Sequence, residues 1–362
     1  MELKLNWQAP INGSKILLRE GSLHSIIKES SQESPLILFY DDRVPYHHIE
    51  KILERNKIYL SIAIKACESN KSREEKHRIE NLLLSAKVGK DAIFIALGGG
   101  IVCDLVGFIA SSYMRGVELI YLPSTLLCMV DACVGGKTAI NALGIKNCIG
   151  AFYPASQVII DPLILSSSSE QDLLCGMAEV IKYGLIWDKE LFDDLMGKKD
   201  LFLEKDLVFL KQIIKRSLEI KLEITTKDPY EKDIRRALNF GHTVAHAIES
   251  KEDYGIKHGH AVAMGMCVEA VMSHLMGLLD EDHLISILTL IQSYGFDIAY
   301  LMTLESKSLH TFMMMDKKKR DEHIRFTPLA GIGRVALLSA VFDLSIFDDA
   351  LRWLQQEALI CR

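Results

Sequence analysis

The chain is 362 residues long, 49% hydrophobic and 25% charged, which suits a folded protein with two sizeable cores and argues against a disordered or fibrous one. Its formal net charge of -6 leaves no basic excess to neutralise a phosphate-rich polymer, so no nucleic-acid partner is expected and a small anion would need a local basic pocket. The N-terminal segment lacks the apolar core of a signal peptide, no apolar run reaches the roughly 20 residues of a bilayer span, and the cysteines form no C-x-x-C pair; we expect a cytoplasmic protein, no membrane contact, and reduced, mostly buried thiols.

In chain order, apolar runs of strand length come first: PLILFYDD, IYLSIAI, DAIFIALGGG, GVELIYLP and SQVIIDP. Between them lie amphipathic stretches such as KSREEKHRIENLLLSAKVG. Alternation of this kind predicts a parallel sheet with crossover helices, a Rossmann-like α/β domain over residues 1–163. After DPLILSSSS the texture changes to long runs with a helical period, such as DLVFLKQIIKRSLEIKLEI and AVAMGMCVEAVMSHLMGLL, nearly free of proline. Residues 164–362 are therefore expected to form an all-α domain, with a ligand cleft where the two domains meet.

Several stretches can carry chemistry. ALGGGIVCDLVGFIA follows a strand and opens a helix, so Gly98, Gly99 and Gly100 can present amides to a phosphate, although Cys103 occupies the third position of a dinucleotide fingerprint. Asp41 and Asp42 end an earlier strand, where an acid can accept from a ribose diol. GGKTAIN fails as a P-loop because Asp131 stands where the first glycine belongs, yet its glycines and Lys137 suit an anion or, equally, an ordinary exposed turn. In GMAEVIKYG, Glu179 and Lys182 share a helical face whose neighbours leave little of it for water.

Residues 239–249, NFGHTVAHAIE, and 257–265, KHGHAVAMG, hold His242, His246, His258 and His260. Read as one helix, Arg235, Asn239, His242, His246 and Glu249 fall within an arc of about 80°, with apolar or small residues elsewhere. Such a helix is buried with its polar stripe turned to an internal cavity. His258 and His260, two apart at the next helix start, are not expected to point the same way.

Together with PSTLLCMVDACVGGKTAIN, KNCIGAFYP, DPYEKDIRRALNFGHTVAHAIE and MMMDKKK, these segments resemble the 3-dehydroquinate synthase family of sugar-phosphate cyclases, in family order from about residue 36 to about residue 335. The resemblance implies an NAD-binding α/β domain, a helical domain, one divalent metal (Zn2+, or Co2+) and a homodimer. It implies a lyase of the shikimate pathway that converts 3-deoxy-D-arabino-heptulosonate 7-phosphate to 3-dehydroquinate and phosphate by transient NAD oxidation, β-elimination, reduction and aldol closure. Glu179, His242 and His258 match the metal ligands. Asp41, Glu68, Lys71, Gly99, Gly100, Asp104, Ser124, Thr125, Leu127, Asp131, Lys137, Lys146 and Gln171 match cofactor contacts. Asp131, Lys137, Asn147, Lys182, Lys221, Glu231, Arg235, Asn239, His246 and Lys317 match substrate contacts, with Arg115 reaching in from the partner, and Lys137, Glu231 and His246 are the catalytic set.

The chain departs from the family at PSTLL, at His260 where an acid is usual, at Ser167 to Ser169, where a looser loop is expected, and at Arg43, which puts the adenosine contact in question. The competing readings are another cyclase of the inosose or valiolone synthase type, a metal- and NAD-dependent polyol dehydrogenase, and a non-catalytic binder.

Overall fold

The computed structural model of the chain describes residues 3–7, 13–24, 34–253, 255–317, 324–336 and 338–357, so Cys361 and the last two lysines of MMMDKKK lie outside the described residues. The apolar runs of the first half form β1 (Leu3–Trp7), β2 (Ser14–Leu18), β3 (Leu36–Asp41), β4 (Ile58–Ile64), β5 (Ile93–Gly98), β6 (Glu118–Pro123), β7 (Lys137–Ala142), β8 (Ile145–Phe152) and β9 (Gln157–Ile160). A seven-stranded sheet runs in the order β1-β2-β9-β6-β5-β3-β4. All its pairings are parallel except that of β1 with β2. The inner strand β5 is buried at every residue, as a parallel strand covered on both faces must be, and that is why its sequence is an unbroken apolar run.

Helices α1 (Tyr46–Arg55), α2 (Arg73–Ser85) and α3 (Gly100–Ser112) connect the strands. At Gly107 in α3 an added Cβ would run into the Tyr121 hydroxyl of β6 and the Thr138 methyl of β7, so glycine lets the helix lie directly on the sheet. β7 and β8 form a separate antiparallel hairpin.

The rest is mainly helical: α4 (Glu170–Ile186), α5 (Lys189–Gly197), α6 (Lys199–Leu203), α7 (Leu207–Lys227), α8 (His242–Lys251), α9 (His258–Leu275), α10 (Glu281–Ser293), α11 (Ala299–Thr303), α12 (Ser306–Lys317) and α13 (Leu344–Glu357). Short strands also appear there, β10 (Ile324–Phe326), β11 (Leu329–Gly331), β12 (Arg334–Val335) and β13 (Ala340–Phe342), so the second half is not purely α as expected. They pair antiparallel, β10 with β13 and β11 with β12.

One compact unit comprises residues 1–173 and 210–229, and the other residues 174–209 and 230–362. The division therefore differs from the single cut after residue 163 expected from the sequence. The chain crosses between the units three times: inside α4 after residue 173, inside α7 after residue 209, and just beyond the end of α7 at Pro229, so that only the third crossing carries a proline to mark it.

The serine tract is more ordered than its composition suggested. Ser166 and Ser167 donate back to the Leu163 and Ile164 carbonyls, and Ser169 exchanges bonds with Asp172 as the start of α4, with Asp172 N–H donating to its hydroxyl at 3.1 Å.

In the first unit, His24 Nε2 lies 3.2 Å from His48 Nδ1, the rings nearly parallel at 13°, and His47 adjoins with ring centroids 4.0 Å apart. One proton can be shared between His24 and His48. Burial, followed by the charges of His47, His24 and Lys51, pushes His48 from its ordinary 6.5 down to about 4. A lowered folded pKa means that protonation favours the unfolded chain. This contribution to stability is present above pH 6.5 and is lost as pH falls through about 4. An NMR titration should give His48 a midpoint near 4, and the loss of stability between these pH values should shrink in His48→Gln; a midpoint near 6.5 would refute the arrangement.

Candidate metal and substrate site

The site in the second unit starts from α4. Met177, Ala178, Val180, Ile181 and Tyr183 are fully buried, so both polar residues of GMAEVIKYG are carried inside: Glu179 is 1% exposed and Lys182 2%. The Lys182 ammonium is in ion-pair contact with Glu179 Oε2. On the other side, His242 Nε2 and His258 Nε2 stand 3.5 and 3.6 Å from Glu179 Oε1, beyond a good hydrogen bond. Burial alone would raise the Glu179 carboxyl, but Lys182 and the two imidazoles outweigh it and hold it well below the usual range.

α8 and α9 deliver those imidazoles. His242 Nδ1 faces the Phe240 carbonyl oxygen at 3.1 Å, an arrangement that turns Nε2 to Glu179. His258 Nδ1 lies 3.4 Å from Glu249 Oε1, on a carboxylate that is 2% exposed. Burial disfavours the His258 cation, yet Glu179 and Glu249 on either side push it up to about 9. Glu179, His242 and His258 each turn one ligand atom to a common point, all within 4.8 Å of one another. Two imidazole nitrogens and one buried carboxylate oxygen that receives no well-formed hydrogen bond fit a divalent ion such as zinc or cobalt, with coordination positions to spare.

The four histidines thus separate. His260 packs its ring edge-on against Phe296, centroids 5.6 Å apart, and is not part of the cluster; burial lowers its pKa. His246 is exposed, its ring perpendicular to His242 with centroids 5.6 Å apart.

The single helix read through residues 235–249 is not what forms. Residues Ile234–Asn239 make a tight helical turn, Gly241 takes φ +79°, and only then does α8 begin. Arg235 and Asn239 therefore do not continue the stripe of His242, His246 and Glu249; Asn239 instead donates to Glu231 Oε1 at 2.7 Å. The break is tertiary in origin. A Cβ at Gly241 would meet Met266 Cγ at 2.6 Å, and one at Gly265 would run into the Gly241 carbonyl oxygen. A Cβ at Gly259 would run into the Cys175 backbone. Glycines thus let α9 touch α4 and the start of α8 beside two of the three ligands.

Glu269 escaped the sequence reading. It lies on α9 with no exposed surface and accepts amide hydrogen bonds from Gly241, Thr243 and Val244. Burial pushes its carboxyl up to about 8 in spite of those donors. The available signal was a lone acid inside the otherwise apolar AVAMGMCVEAVMS.

In the first unit, Lys71 Nζ bonds Asp104 Oδ2 at 2.5 Å and also the Asn147 side-chain oxygen. Asn141 links the same group to Glu68, donating to its Oε1 at 2.7 Å while accepting from Asn147 N–H at 2.9 Å. Glu68, Lys71, Asp104 and Asn147 are thus brought together, and Asn141, quoted in GGKTAIN but given no role, joins them. Lys221 Nζ holds Asp131 through its carbonyl oxygen at 2.5 Å and Oδ1 at 2.7 Å, on the widened helical turn Cys128–Ala132.

The Gly99 turn packs on Thr125, whose hydroxyl accepts from Cys128 N–H at 3.2 Å, and Ser124 N–H donates to the Gly98 carbonyl. Asp41 is buried and forked by Arg43, Nε to Oδ1 at 3.0 Å and a terminal nitrogen to Oδ2 at 2.8 Å, so a ribose diol there would have to share it. Leu127 and Lys146 are half-buried, whereas Lys137, Gln171 and Arg115 are exposed. The Lys317 side chain lies outside the described residues.

Comparison with known proteins gives the chain a family. Sequence models described as 3-dehydroquinate synthase N-terminal and C-terminal match residues 61–175 and 176–319. A 3-dehydroquinate synthase of Caldanaerobacter subterraneus is 38% identical over 87% of this chain and 89% of its own. One from Shewanella halifaxensis is 41% identical over 76% and 77%. Among solved structures, 2-epi-5-epi-valiolone synthase from Streptomyces hygroscopicus with NAD+ and Zn2+ bound superposes with a TM-score of 0.87 at 25% identity, covering 95% of this chain and 97% of that one. A 2-deoxy-scyllo-inosose synthase complexed with carbaglucose-6-phosphate, NAD+ and Co2+ gives 0.84 at 23% identity over 97% and 100%, and shares the fold.

The glycine packing is open to test. Gly241→Ala should destabilise the protein by about 2–4 kcal/mol, the sum of left-handed strain and overpacking. Urea unfolding measures this, and a change below about 0.5 kcal/mol, the size of an ordinary surface substitution, would contradict the close approach.

Proposed function

The chain belongs to the 3-dehydroquinate synthase family, and from that premise we propose that it converts 3-deoxy-D-arabino-heptulosonate 7-phosphate to 3-dehydroquinate with elimination of phosphate. The observation that carries the reading is the buried Glu179 oxygen that faces two imidazole nitrogens at 3.5 and 3.6 Å. We read Glu179, His242 and His258 as ligands of zinc or cobalt. In the first unit we read the Gly99 turn with Glu68, Lys71 and Asp104 as the NAD site. The NAD+ and Zn2+ bound by the valiolone synthase support both assignments. When bound, the metal would acidify a substrate hydroxyl and NAD+ would supply an oxidation that is reversed within the same turnover.

The chain's own groups supply the remaining roles. His246, exposed one turn after His242, takes and returns a substrate proton at a ring nitrogen. Glu231, held by the Asn239 amide, and Lys137 assist in proton transfer. Lys182 and Arg235, buried in a protein of net charge -6, supply local positive charge for a substrate that carries a carboxylate and a phosphate. The same reading makes the working form a cytoplasmic homodimer, with Arg115 serving the partner's site.

Purified protein with NAD+, Zn2+ and the heptulosonate phosphate should release phosphate and form dehydroquinate without lasting NADH. Stoichiometric NADH would indicate a dehydrogenase, and absence of phosphate release would sink the proposal. His246→Ala should keep its metal, measured by elemental analysis, and lose about 100-fold or more in turnover. His258→Ala should lose the metal itself. Metal loss in His246→Ala would reverse the two roles.

A further inference from the structure

Helix α8 begins without a cap of its own. Its N-cap residue is Gly241, which has no side chain to accept from the first-turn amides. Other helices here begin on a local oxygen: Ser72 accepts from Glu75 N–H, Asp188 from Leu191 N–H and Asp280 from His283 N–H. No such side chain fits at position 241, because a Cβ there would strike Met266. The acceptor comes from α9 instead. Glu269 Oε2 receives the Gly241 N–H at 2.8 Å, and Oε1 receives those of Thr243 and Val244 at 3.1 and 3.4 Å.

We propose that Glu269 is a positioning residue for the metal centre: by carrying the first-turn amides of α8 on a carboxylate of α9, it fixes His242 relative to His258. The inference rests on reading Glu179, His242 and His258 as a metal site. His242 lies between Gly241 and Thr243, both tied to Glu269, and its ring is fixed in turn by the Phe240 carbonyl. His258 opens α9, about three turns before Glu269 on the same continuous helix. One end of α9 therefore supplies a ligand and its middle holds the backbone of the other. The separation of the two imidazoles, ring centroids 5.6 Å apart, is set across this clamp. In its ionised form the group presents acceptors only, which suits three converging N–H groups. Glutamine in its place would turn an N–H of its own toward at least one of them.

The test is Co2+ binding to the metal-free protein, followed by visible absorption and chelator competition. Amide hydrogen exchange at Gly241 and Thr243 is a second readout. Glu269→Gln should bind Co2+ about 10- to 100-fold more weakly, the range seen when a group supporting a ligand is lost. Its absorption band should shift and both amides should exchange faster. Ser273→Ala is the control for general softening: it deletes a buried hydroxyl of α9 that donates to the Glu269 carbonyl and accepts from Leu329 N–H, without touching α8. It should lower Tm and leave Co2+ affinity and spectrum unchanged.

Wild-type affinity and spectrum in Glu269→Gln, or equal weakening in Ser273→Ala, would overturn the proposal. Should Glu269→Gln not fold, Glu269→Asp, which keeps both acceptors on a shorter arm, is read the same way: a shifted band supports the clamp and an unchanged one refutes it. A wild-type protein that takes up no Co2+, or whose uptake survives His258→Ala, would refute the metal reading itself. That result is distinct from wild-type binding that the Glu269 variants leave intact.

Discussion

Around the buried carboxylate of Glu179 the second unit has to solve an electrostatic problem. An isolated carboxylate moved out of water costs several kcal/mol or more and would take up a proton instead. Here it remains charged because Lys182, one helical turn along α4, and two imidazoles from α8 and α9 converge on it. That requirement accounts for a buried acid and lysine on the otherwise apolar middle of α4, and for the histidines that open α8 and α9. It also explains why apolar residues beside Glu179 do not make this an ordinary surface ion pair, which would contribute about 1 kcal/mol at most. In a dry environment the same charges interact strongly, so displacement of any one group is felt by the others.

Bringing three helices to one carboxylate demands close backbones, and side chains at the contact points would prevent it. Gly259 against Cys175 and Gly265 against Gly241 remove them. The cost appears at Gly241, where the glycine that permits the approach also leaves α8 without a local cap. Glu269 offsets that loss, so a second buried carboxylate exists because of the packing required by the first. Two acids with opposite tendencies result: Glu179 is held low by cations and Glu269 is pushed up by burial, since only neutral amides face it.

Much of this was legible in the sequence because it rests on local rules. Parallel strands buried on both faces must be apolar throughout, and PLILFYDD and DAIFIALGGG read so. GMAEVIKYG betrayed a buried carboxylate through its neighbours alone. What was illegible depends on contacts between distant segments. Nothing within NFGHT announces that Gly241 turns left-handed, since the reason is Met266, and helical periodicity runs through the break undisturbed. The unit boundaries inside α4 and α7 carry no mark either, because an amphipathic helix can change the unit that it packs on without changing its pattern. Arg43 looked like a departure at the adenosine contact; the fork onto Asp41 supplies its local purpose, which no spacing rule encodes.

The first unit treats its charges differently, and the contrast bears on ligand binding. Lys71 and Lys221 are nearly buried, but each is anchored by an acid, Asp104 and Asp131. Anchoring removes rotamer freedom during folding, so an anion that later meets these ammonium groups does not bear that entropic cost, on the order of 1.5–2 kcal/mol for a lysine. The paired acid cancels part of the attraction, however, so the gain is in geometry more than in field strength. Fixed but partly neutralised lysines would hold a bound anion in register without surrounding it with a strong field. This compromise suits an acidic chain of net charge -6 better than a strongly basic pocket would.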